Sequence, residues 1–219
     1  MCQSIRNIIF DLGNVVINIA PELTIRKFKE LGVVRFDEMY TLMRQTDVFD
    51  RLDTGKITMP EFRQAIRDFA KLNLTDELID EAWCAMLLDF PEENVELLRQ
   101  LRKKGYKLFL LSNTNKLHID FYIKYMKQQF GRDLLNELFD RIFYSHEIGF
   151  RKPNRDSFEH VLKTENLDPA ETLFIDDLEH NVIGARQTGL LAYHHQKGNR
   201  LVNLPLLSEL LCKTNMQNF

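Results

Sequence analysis

Four short polar clusters in the 219-residue sequence carry side chains that could do chemistry together. Asp11 follows an apolar run, Ser112 begins a Ser-Asn-Thr-Asn stretch, Lys152 lies within Arg-Lys-Pro, and Asp176 and Asp177 follow another apolar run. Carboxylates that meet at one site repel each other unless one stays protonated or a cation lies among them. Mg²⁺, a hard ion that takes oxygen ligands and keeps several waters, is the cation these residues favour.

The lysine and the hydroxyl of these clusters point to an anionic substrate. Once a divalent ion has neutralised the carboxylates, Lys152 and Ser112 are expected to have no further partner within the protein. A phosphate group would satisfy both, because it attracts the ammonium and accepts a hydrogen bond from the hydroxyl. Placement and charge neutralisation do most of the work in phosphoryl transfer, so the predicted partner is a small-molecule phosphate ester.

The segments around the clusters predict an α/β fold. Short apolar runs, each typical of a buried strand, alternate along the chain with longer helical patterns. This alternation predicts a doubly wound, Rossmann-like parallel sheet with helices on both faces, in which ligands bind beyond the carboxyl ends of the strands. The polar clusters are therefore expected to meet in one crevice. The predicted strands are 5–10, 107–112, 141–144, 172–176 and 190–194.

A helical stretch interrupts this alternation after the first strand. Residues 18–90 have helical periodicity, charges on alternating faces and no convincing strand. We therefore predict an all-helical cap domain over 18–90. It is inserted into an α/β core formed by residues 1–17 and 91–219.

Part of this insertion has some of the spacing of a calcium-binding loop. Asp50 and Gly55 occupy positions 1 and 6 of that pattern, but Leu52 takes the third position, where an oxygen ligand is needed. The favoured interpretation is a turn at 53–55 between two helices, with Thr58 capping the second helix.

Composition narrows the class of protein. Apolar residues make up 44% and charged residues 28%, and the net charge of −3 supplies no global basic field to attract nucleic acid. The three cysteines are widely spaced, so the sequence predicts reduced thiols rather than a disulfide framework or a zinc site. No apolar run has the length of a membrane span or of a signal-peptide core. A cytoplasmic protein with no nucleic-acid or membrane partner is expected, and its oligomeric state stays open.

The four clusters together resemble a known family. Residues 10–16 (FDLGNVV), 111–115 (LSNTN), 151–153 (RKP) and 174–181 (FIDDLEHN) are similar to the four ordered motifs of the haloacid dehalogenase-like hydrolases. The helical insertion resembles the cap of the subfamily that includes sugar-phosphate phosphatases. The wording of the motifs most resembles the branch of the bacterial α-D-glucose-1-phosphate phosphatases. The resemblance implies a Mg²⁺-dependent phosphatase that acts on a small phosphorylated metabolite, such as a hexose 1-phosphate.

The resemblance also implies a role for each motif residue. One carboxylate would be the nucleophile and form an aspartyl-phosphate, which water then hydrolyses. Other residues would bind the metal, bind the phosphoryl group, or orient those groups from behind. The implied residues are Asp11 as nucleophile; Asp11, the Gly13 carbonyl, Asp176 and Asp177 for the metal; Ser112, Asn113 and Lys152 for the phosphate, with Ser112 and Lys152 also catalytic; and Asn181 behind them.

One position departs from the family pattern. Most phosphatases of the family carry an aspartate two residues after the nucleophile, where it protonates the leaving oxygen, but this chain has Gly13. Loss of general-acid help typically costs about 10²–10⁴-fold in rate. Two alternatives therefore stay open beside the phosphatase. One is a catalytically weak regulatory protein that binds phosphate and metal, and the other is a metal-independent 2-haloacid dehalogenase.

Overall fold

Five parallel strands form one sheet at the centre of the molecule in the computed structural model, which describes residues 5–38 and 48–212. In chain order the strands are β1 (Asn7–Phe10), β2 (Lys107–Ser112), β3 (Arg141–Tyr144), β4 (Thr172–Asp176) and β5 (Leu191–His194). Across the sheet they lie in the order β3-β2-β1-β4-β5, so β1 lies between β2 and β4. The predicted doubly wound α/β fold is confirmed.

The strand β1 forms because its residues are apolar enough to be covered on both faces of the sheet. All four of its residues are buried, as expected for a central parallel strand. Ile8 and Phe10 pack into the apolar cluster on one face, and Ile9 packs into the cluster on the other. Its register pairs Phe10 with Leu110 of β2 and with Ile175 of β4. The residues that follow these three strands therefore emerge side by side at one edge.

Between β1 and β2 the chain forms a group of helices with an apolar cluster of its own. Thr58 caps one of these helices through a capping box with Glu61, as predicted, and Thr75 caps the next. Trp83 and Phe62 lie in the apolar cluster, which is separate from the two that cover the sheet. The helices are α1 (Pro21–Glu30), α2 (Val48–Asp53), α3 (Met59–Ala70) and α4 (Asp76–Cys84). We call this helical group the cap, and its boundaries at 18 and 90 stay a prediction.

The two chain segments that join the cap to the sheet run beside each other. The backbone N–H of Asn18 donates to the Asp89 carbonyl at 3.0 Å, and that of Leu88 donates to the Asn18 carbonyl at 3.1 Å. Ile19 pairs with Leu87 in an antiparallel bridge. The cap is therefore attached through a narrow two-stranded connection.

The helices that follow the cap cover both faces of the sheet. Helix α5 ends just before Gly105, whose φ of 89° is the left-handed conformation that glycine adopts at such ends. None of the described helices has the length and apolar character that a bilayer span requires. The helices are α5 (Glu92–Lys103), α6 (Lys116–Phe130), α7 (Leu134–Leu138), α8 (Ser145–Ile148), α9 (Arg155–Thr164), α10 (Glu179–Arg186) and α11 (Pro205–Cys212).

Candidate active site

Three carboxylates meet where the neighbouring strands β1 and β4 end. Asp11 follows β1 directly, and its backbone N–H donates to the Ile175 carbonyl of β4 at 2.9 Å. Asp176 ends β4 and Asp177 follows it. Each of the three side chains offers an oxygen that lies within 4.8 Å of the oxygens offered by the other two. The structure thus brings together residues that lie 166 positions apart at the most.

Lys152 lies within the same cluster, although it comes from the loop between α8 and α9. Its side chain is 1% exposed, and its Nζ donates to Asp11 Oδ1 and to Asp176 Oδ2, both at 2.6 Å. Lys152 is thus paired with two of the carboxylates that are predicted to bind the metal. A buried ammonium is costly unless it is paired, and here two carboxylates pair it at once. We call Asp11, Lys152, Asp176 and Asp177 the active-site cluster.

Hydrogen bonds from behind hold Asp176. Asn181 on α10 donates from Nδ2 to both carboxylate oxygens, at 3.0 and 3.1 Å, and the Leu178 N–H donates to Oδ1 at 2.8 Å. Asp176 is fully buried, so these donors replace the water that the carboxylate would otherwise bind. The N-cap residue of α10 is Leu178, so neither Asp176 nor Asp177 occupies that position.

Asn14 is a member of the site that sequence reasoning missed. Its Nδ2 donates to Asp177 Oδ2 at 3.0 Å, which orients the outermost carboxylate of the cluster. Asn14 has a φ of 57°, a conformation that asparagine tolerates better than most residues. The sequence does contain a signal for this role, because Asn14 lies in the tight turn that follows β1 and Asp11. On the other side, the His194 ring Nε2 lies 3.0 Å from the Asp177 carbonyl oxygen.

The two loops that are predicted to bind phosphate are hydrogen-bonded to each other. Asn113 donates from Nδ2 to the Lys152 carbonyl at 2.8 Å and accepts from the Lys152 N–H through Oδ1 at 2.9 Å. Ser112, one residue earlier, is the buried last residue of β2. This reciprocal pair fixes the loop that carries Lys152 against the end of β2.

Helix α10 packs closely against the loop that carries Lys152, which we call the lysine loop. A Cβ on Gly184 would lie 2.4 Å from the carbonyl oxygen of Pro153, so only glycine allows this approach. Gly13 lies in the turn after Asp11, and a Cβ there would lie 2.7 Å from the Cδ1 of Ile19. The role of the Gly13 carbonyl in metal binding stays a prediction.

Burial and mutual repulsion dominate the electrostatics of the cluster. Burial raises the pKa of Asp11 to about 7, Lys152 opposes this rise, and Asp176 adds to it. Burial lowers the pKa of Lys152, but Asp11 and Asp176 outweigh burial and raise it above its usual range. With all groups ionised, three carboxylates and one ammonium leave two negative charges uncompensated. A divalent cation with oxygen ligands fits this charge and this donor set.

His118 does not contribute a free ring to the site. Its Nε2 lies 3.2 Å from the Trp83 carbonyl oxygen and its ring stacks on the Trp83 ring, with centroids 5.2 Å apart. Burial lowers the pKa of His118 to about 4, so the ring is neutral near pH 7. His118 therefore joins α6 to cap helix α4, and the exposed His180 lies on α10.

A second charged group, also missed from the sequence, joins the cap to the lysine loop. Arg151, the residue before Lys152, forms an ion pair with Asp50 of helix α2, and its Nη2 lies 3.8 Å from Asp53 Oδ2. Beside it, a Cβ on Gly55 would lie 2.4 Å from the His146 carbonyl oxygen of α8. We call Asp50, Asp53 and Arg151 the cap junction.

The similarity of this chain to known proteins agrees with the geometry of its site. A family model described as haloacid dehalogenase-like hydrolase matches residues 5–189. The chain belongs to this family. This match covers most of the chain and includes all four residues of the active-site cluster.

Individual relatives of this haloacid dehalogenase-like protein cover nearly all of it. A D-ribitol-5-phosphate phosphatase from Bacteroides thetaiotaomicron is 29% identical over 89% of this chain and 93% of its own length. A family enzyme of that organism, solved in complex with magnesium and inorganic phosphate, is 34% identical with a TM-score of 0.84, over 92% of this chain and 99% of that one. A predicted hydrolase of the family from Porphyromonas gingivalis is also 34% identical with a TM-score of 0.84, over 96% and 99%.

Proposed function

We propose that this haloacid dehalogenase-like phosphatase removes the phosphoryl group from a small phosphorylated polyol or sugar, through an aspartyl-phosphate formed on Asp11. The observation that carries the proposal is the active-site cluster, in which Asp11 lies in ion-pair contact with Lys152 and beside Asp176 and Asp177. A carboxylate held among a lysine and two further acids is suited to attack a phosphorus atom once a cation balances the charge.

Magnesium is the cofactor of the phosphatase. Asp11, Asp176 and Asp177 would hold it, because their oxygens converge and carry the excess negative charge that a divalent ion needs. When bound, it supplies positive charge against the phosphoryl oxygens and the nucleophile.

The residues of the chain divide the remaining work. In the first half-reaction a free Asp11 oxygen attacks the phosphorus, the ester bond breaks, and the alcohol leaves. In the second, water attacks the phosphorus of the aspartyl-phosphate, and inorganic phosphate and the Asp11 carboxylate are released. Lys152 and Ser112 would bind the phosphoryl oxygens through both steps, with the Asn113 N–H beside them. Asn181 and Asn14 keep the Asp176 and Asp177 carboxylates in place.

The substrate class rests on the relatives and on the leaving group. The D-ribitol-5-phosphate phosphatase matches over almost its full length, which favours a phosphorylated polyol of similar size. A hexose 1-phosphate, the substrate suggested by the motif wording, is the other member of the proposed class. Its anomeric oxygen is a better leaving group than an ordinary alcohol, which suits a chain with no acid at Gly13.

A panel of phosphate esters tests this proposal. We would incubate the protein with ribitol 5-phosphate, glucose 1-phosphate, glucose 6-phosphate and p-nitrophenyl phosphate, each with Mg²⁺ and with EDTA, and measure released phosphate. Metal-dependent release is expected with at least one polyol or sugar phosphate. The variant Asp11→Asn should lose about 10⁴-fold or more of that activity, because it lacks the attacking carboxylate.

Two results would contradict the proposal. Tight binding of phosphate esters without turnover would favour a regulatory role. Halide release from 2-haloacids in EDTA, without phosphate release in Mg²⁺, would favour a dehalogenase. The matched control for Asp11→Asn is Asp89→Asn in the connection to the cap, which removes a carboxylate that bonds Asn18 outside the cluster.

A further inference from the structure

An alcohol that leaves phosphorus needs a proton, and the position next to the nucleophile does not supply one. Gly13 has no side chain, and a Cβ built on it would lie only 2.7 Å from the Cδ1 of Ile19. Ile19 belongs to the connection between cap and sheet, so the space beside Gly13 is filled from the cap side. A proton donor for an ordinary alcohol must therefore come from another part of the molecule.

Several titratable groups near the site are already engaged. The His118 ring lies against the Trp83 carbonyl and has a pKa lowered to about 4 by burial. The His146 Nδ1 lies 3.2 Å from the Thr114 carbonyl oxygen, and burial lowers the pKa of this ring too. Lys152 is bonded to both Asp11 and Asp176. These three side chains are therefore poorly suited to protonate a leaving alcohol near pH 7.

Asp53 lies on the side of the cap that faces the loop carrying Lys152. It is the last residue of cap helix α2, and the turn that follows it contacts α8 at the His146 carbonyl oxygen. The same histidine contacts Thr114, two residues after Ser112, and the Arg151 Nη2 next to Asp53 belongs to the residue before Lys152. The cap turn thus meets the loop that carries Lys152 directly and reaches the loop after Ser112 through His146.

Burial favours the protonated form of Asp53. Its side chain is 19% exposed, and burial raises its pKa to about 7. Arg151 pairs directly with Asp50, and its distance of 3.8 Å from Asp53 is too long for a hydrogen bond. The other charged groups on the elements around this turn are Arg51, Lys56, His146 and Glu147. Near neutral pH a large share of Asp53 side chains therefore carries a proton.

We propose that Asp53 is the general acid of the reaction, supplied by the cap in place of the side chain that Gly13 lacks. This inference rests on the proposed function. As Asp11 attacks the phosphorus, the ester P–O bond breaks, its electron pair passes to the leaving oxygen, and that oxygen takes the proton from the Asp53 carboxyl. The products are the free alcohol, the aspartyl-phosphate and an Asp53 carboxylate. When water then attacks the phosphorus, Asp53 takes back a proton, so the cycle balances.

The dependence of the rate on the leaving group tests this assignment. We would compare wild type, Asp53→Asn and Asp50→Asn in kcat/KM, with Mg²⁺, on two kinds of substrate. The first is ribitol 5-phosphate, or whichever alkyl phosphate of the panel is hydrolysed fastest, whose alkoxide needs a proton to leave. The second is p-nitrophenyl phosphate, whose phenolate leaves without one. Asp50→Asn is the matched control, because it makes the same side-chain substitution on the same helix, next to the same arginine.

The expected result is a loss that depends on the substrate. Asp53→Asn should lose about 10²–10⁴-fold on the alkyl phosphate and less than about threefold on p-nitrophenyl phosphate. Asp50→Asn should lose less than about fivefold, and by the same factor on both substrates, because it breaks one partly exposed ion pair. Equal losses of Asp53→Asn on the two substrates, no loss on either, or the same pattern in Asp50→Asn would overturn the assignment.

The proposed function can fail separately. If wild type hydrolyses neither substrate, or if Asp11→Asn keeps its activity on p-nitrophenyl phosphate, the phosphatase mechanism itself is wrong. If wild type passes both checks and Asp53→Asn behaves like Asp50→Asn, the phosphatase stands and Asp53 is not its acid.

Discussion

The active-site cluster and the cap junction balance negative charge in different ways. In the active-site cluster three carboxylates share one ammonium that is 1% exposed and bonded to two of them. In the cap junction the arginine side chain is 25% exposed, and its direct partner Asp50 is 54% exposed. The ammonium of the first group is buried, whereas the ion pair of the second is partly exposed to solvent.

The charges of the active-site cluster are therefore coupled more strongly than those of the cap junction. Buried charges interact strongly and leave a large cost when one partner is lost, whereas exposed pairs are screened and contribute about 0–1 kcal/mol. The three carboxylates of the active-site cluster lie at the ends of the paired strands β1 and β4, and the bonds of Asn113 fix the loop that carries Lys152. The cap junction is one of several contacts between cap and core, beside the His118–Trp83 contact and the narrow connection, and we expect it to break and re-form during turnover.

The largest expected effect is that of Lys152→Met, which removes the cation of the active-site cluster and should lower the free energy of unfolding. This variant leaves Asp11 and Asp176 without their shared partner, and breaking a buried pair in this way costs about 3–5 kcal/mol. We expect that loss in the free energy of unfolding in urea with EDTA. Saturating Mg²⁺ should recover part of it, because binding to the folded state stabilises that state.

The exposed Lys124→Met is the control for this measurement, since it removes a lysine from the surface of α6. It should change the free energy of unfolding by less than about 0.5 kcal/mol. An effect of Lys152→Met as small as that of the control would mean that the two carboxylates are not ionised together in the metal-free protein.

Much of the fold and of the active-site cluster could be predicted because local patterns encode them. Each strand is a short apolar run, and Asp11, Ser112 and Asp176 stand where such runs end. The bonds of Lys152 could not be predicted, because they depend on β1 and β4 being neighbours in the sheet. The pair of Arg151 with Asp50 also depends on how the cap docks, which no periodicity along the chain encodes.

The cap junction should show its own signature in the pH dependence of stability. In the folded protein burial raises the pKa of Asp53 from 3.8 to about 7. Between these two values the folded state binds more protons at this group than the unfolded state, so its contribution to stability is present below pH 3.8 and is lost as the pH rises through 7. Asp53→Asn removes this loss. The free energy of unfolding of the variant, relative to wild type, should therefore rise with pH over this window by up to about 1.4 kcal/mol per pH unit.

Urea unfolding at several pH values in EDTA would measure this slope, with Asp50→Asn as the control. Asp50 is more exposed than Asp53, so its variant should run parallel to wild type. Parallel curves for Asp53→Asn as well would show that Asp53 is hydrated, and the contrast between the two carboxylates of the cap junction would disappear.

The smallest expected effect is that of Arg151→Met, although it removes a cation next to Lys152. Its ion pair with Asp50 is partly exposed, so the free energy of unfolding should fall by less than about 1 kcal/mol. Since the pair joins the cap to the lysine loop, the same energy should appear in substrate binding, as a KM raised by up to about fivefold with kcat nearly unchanged. Arg155→Met, which breaks an exposed pair within α9, should change neither KM nor kcat. A loss of stability that matched Lys152→Met would show instead that the cap junction is as rigid as the active-site cluster.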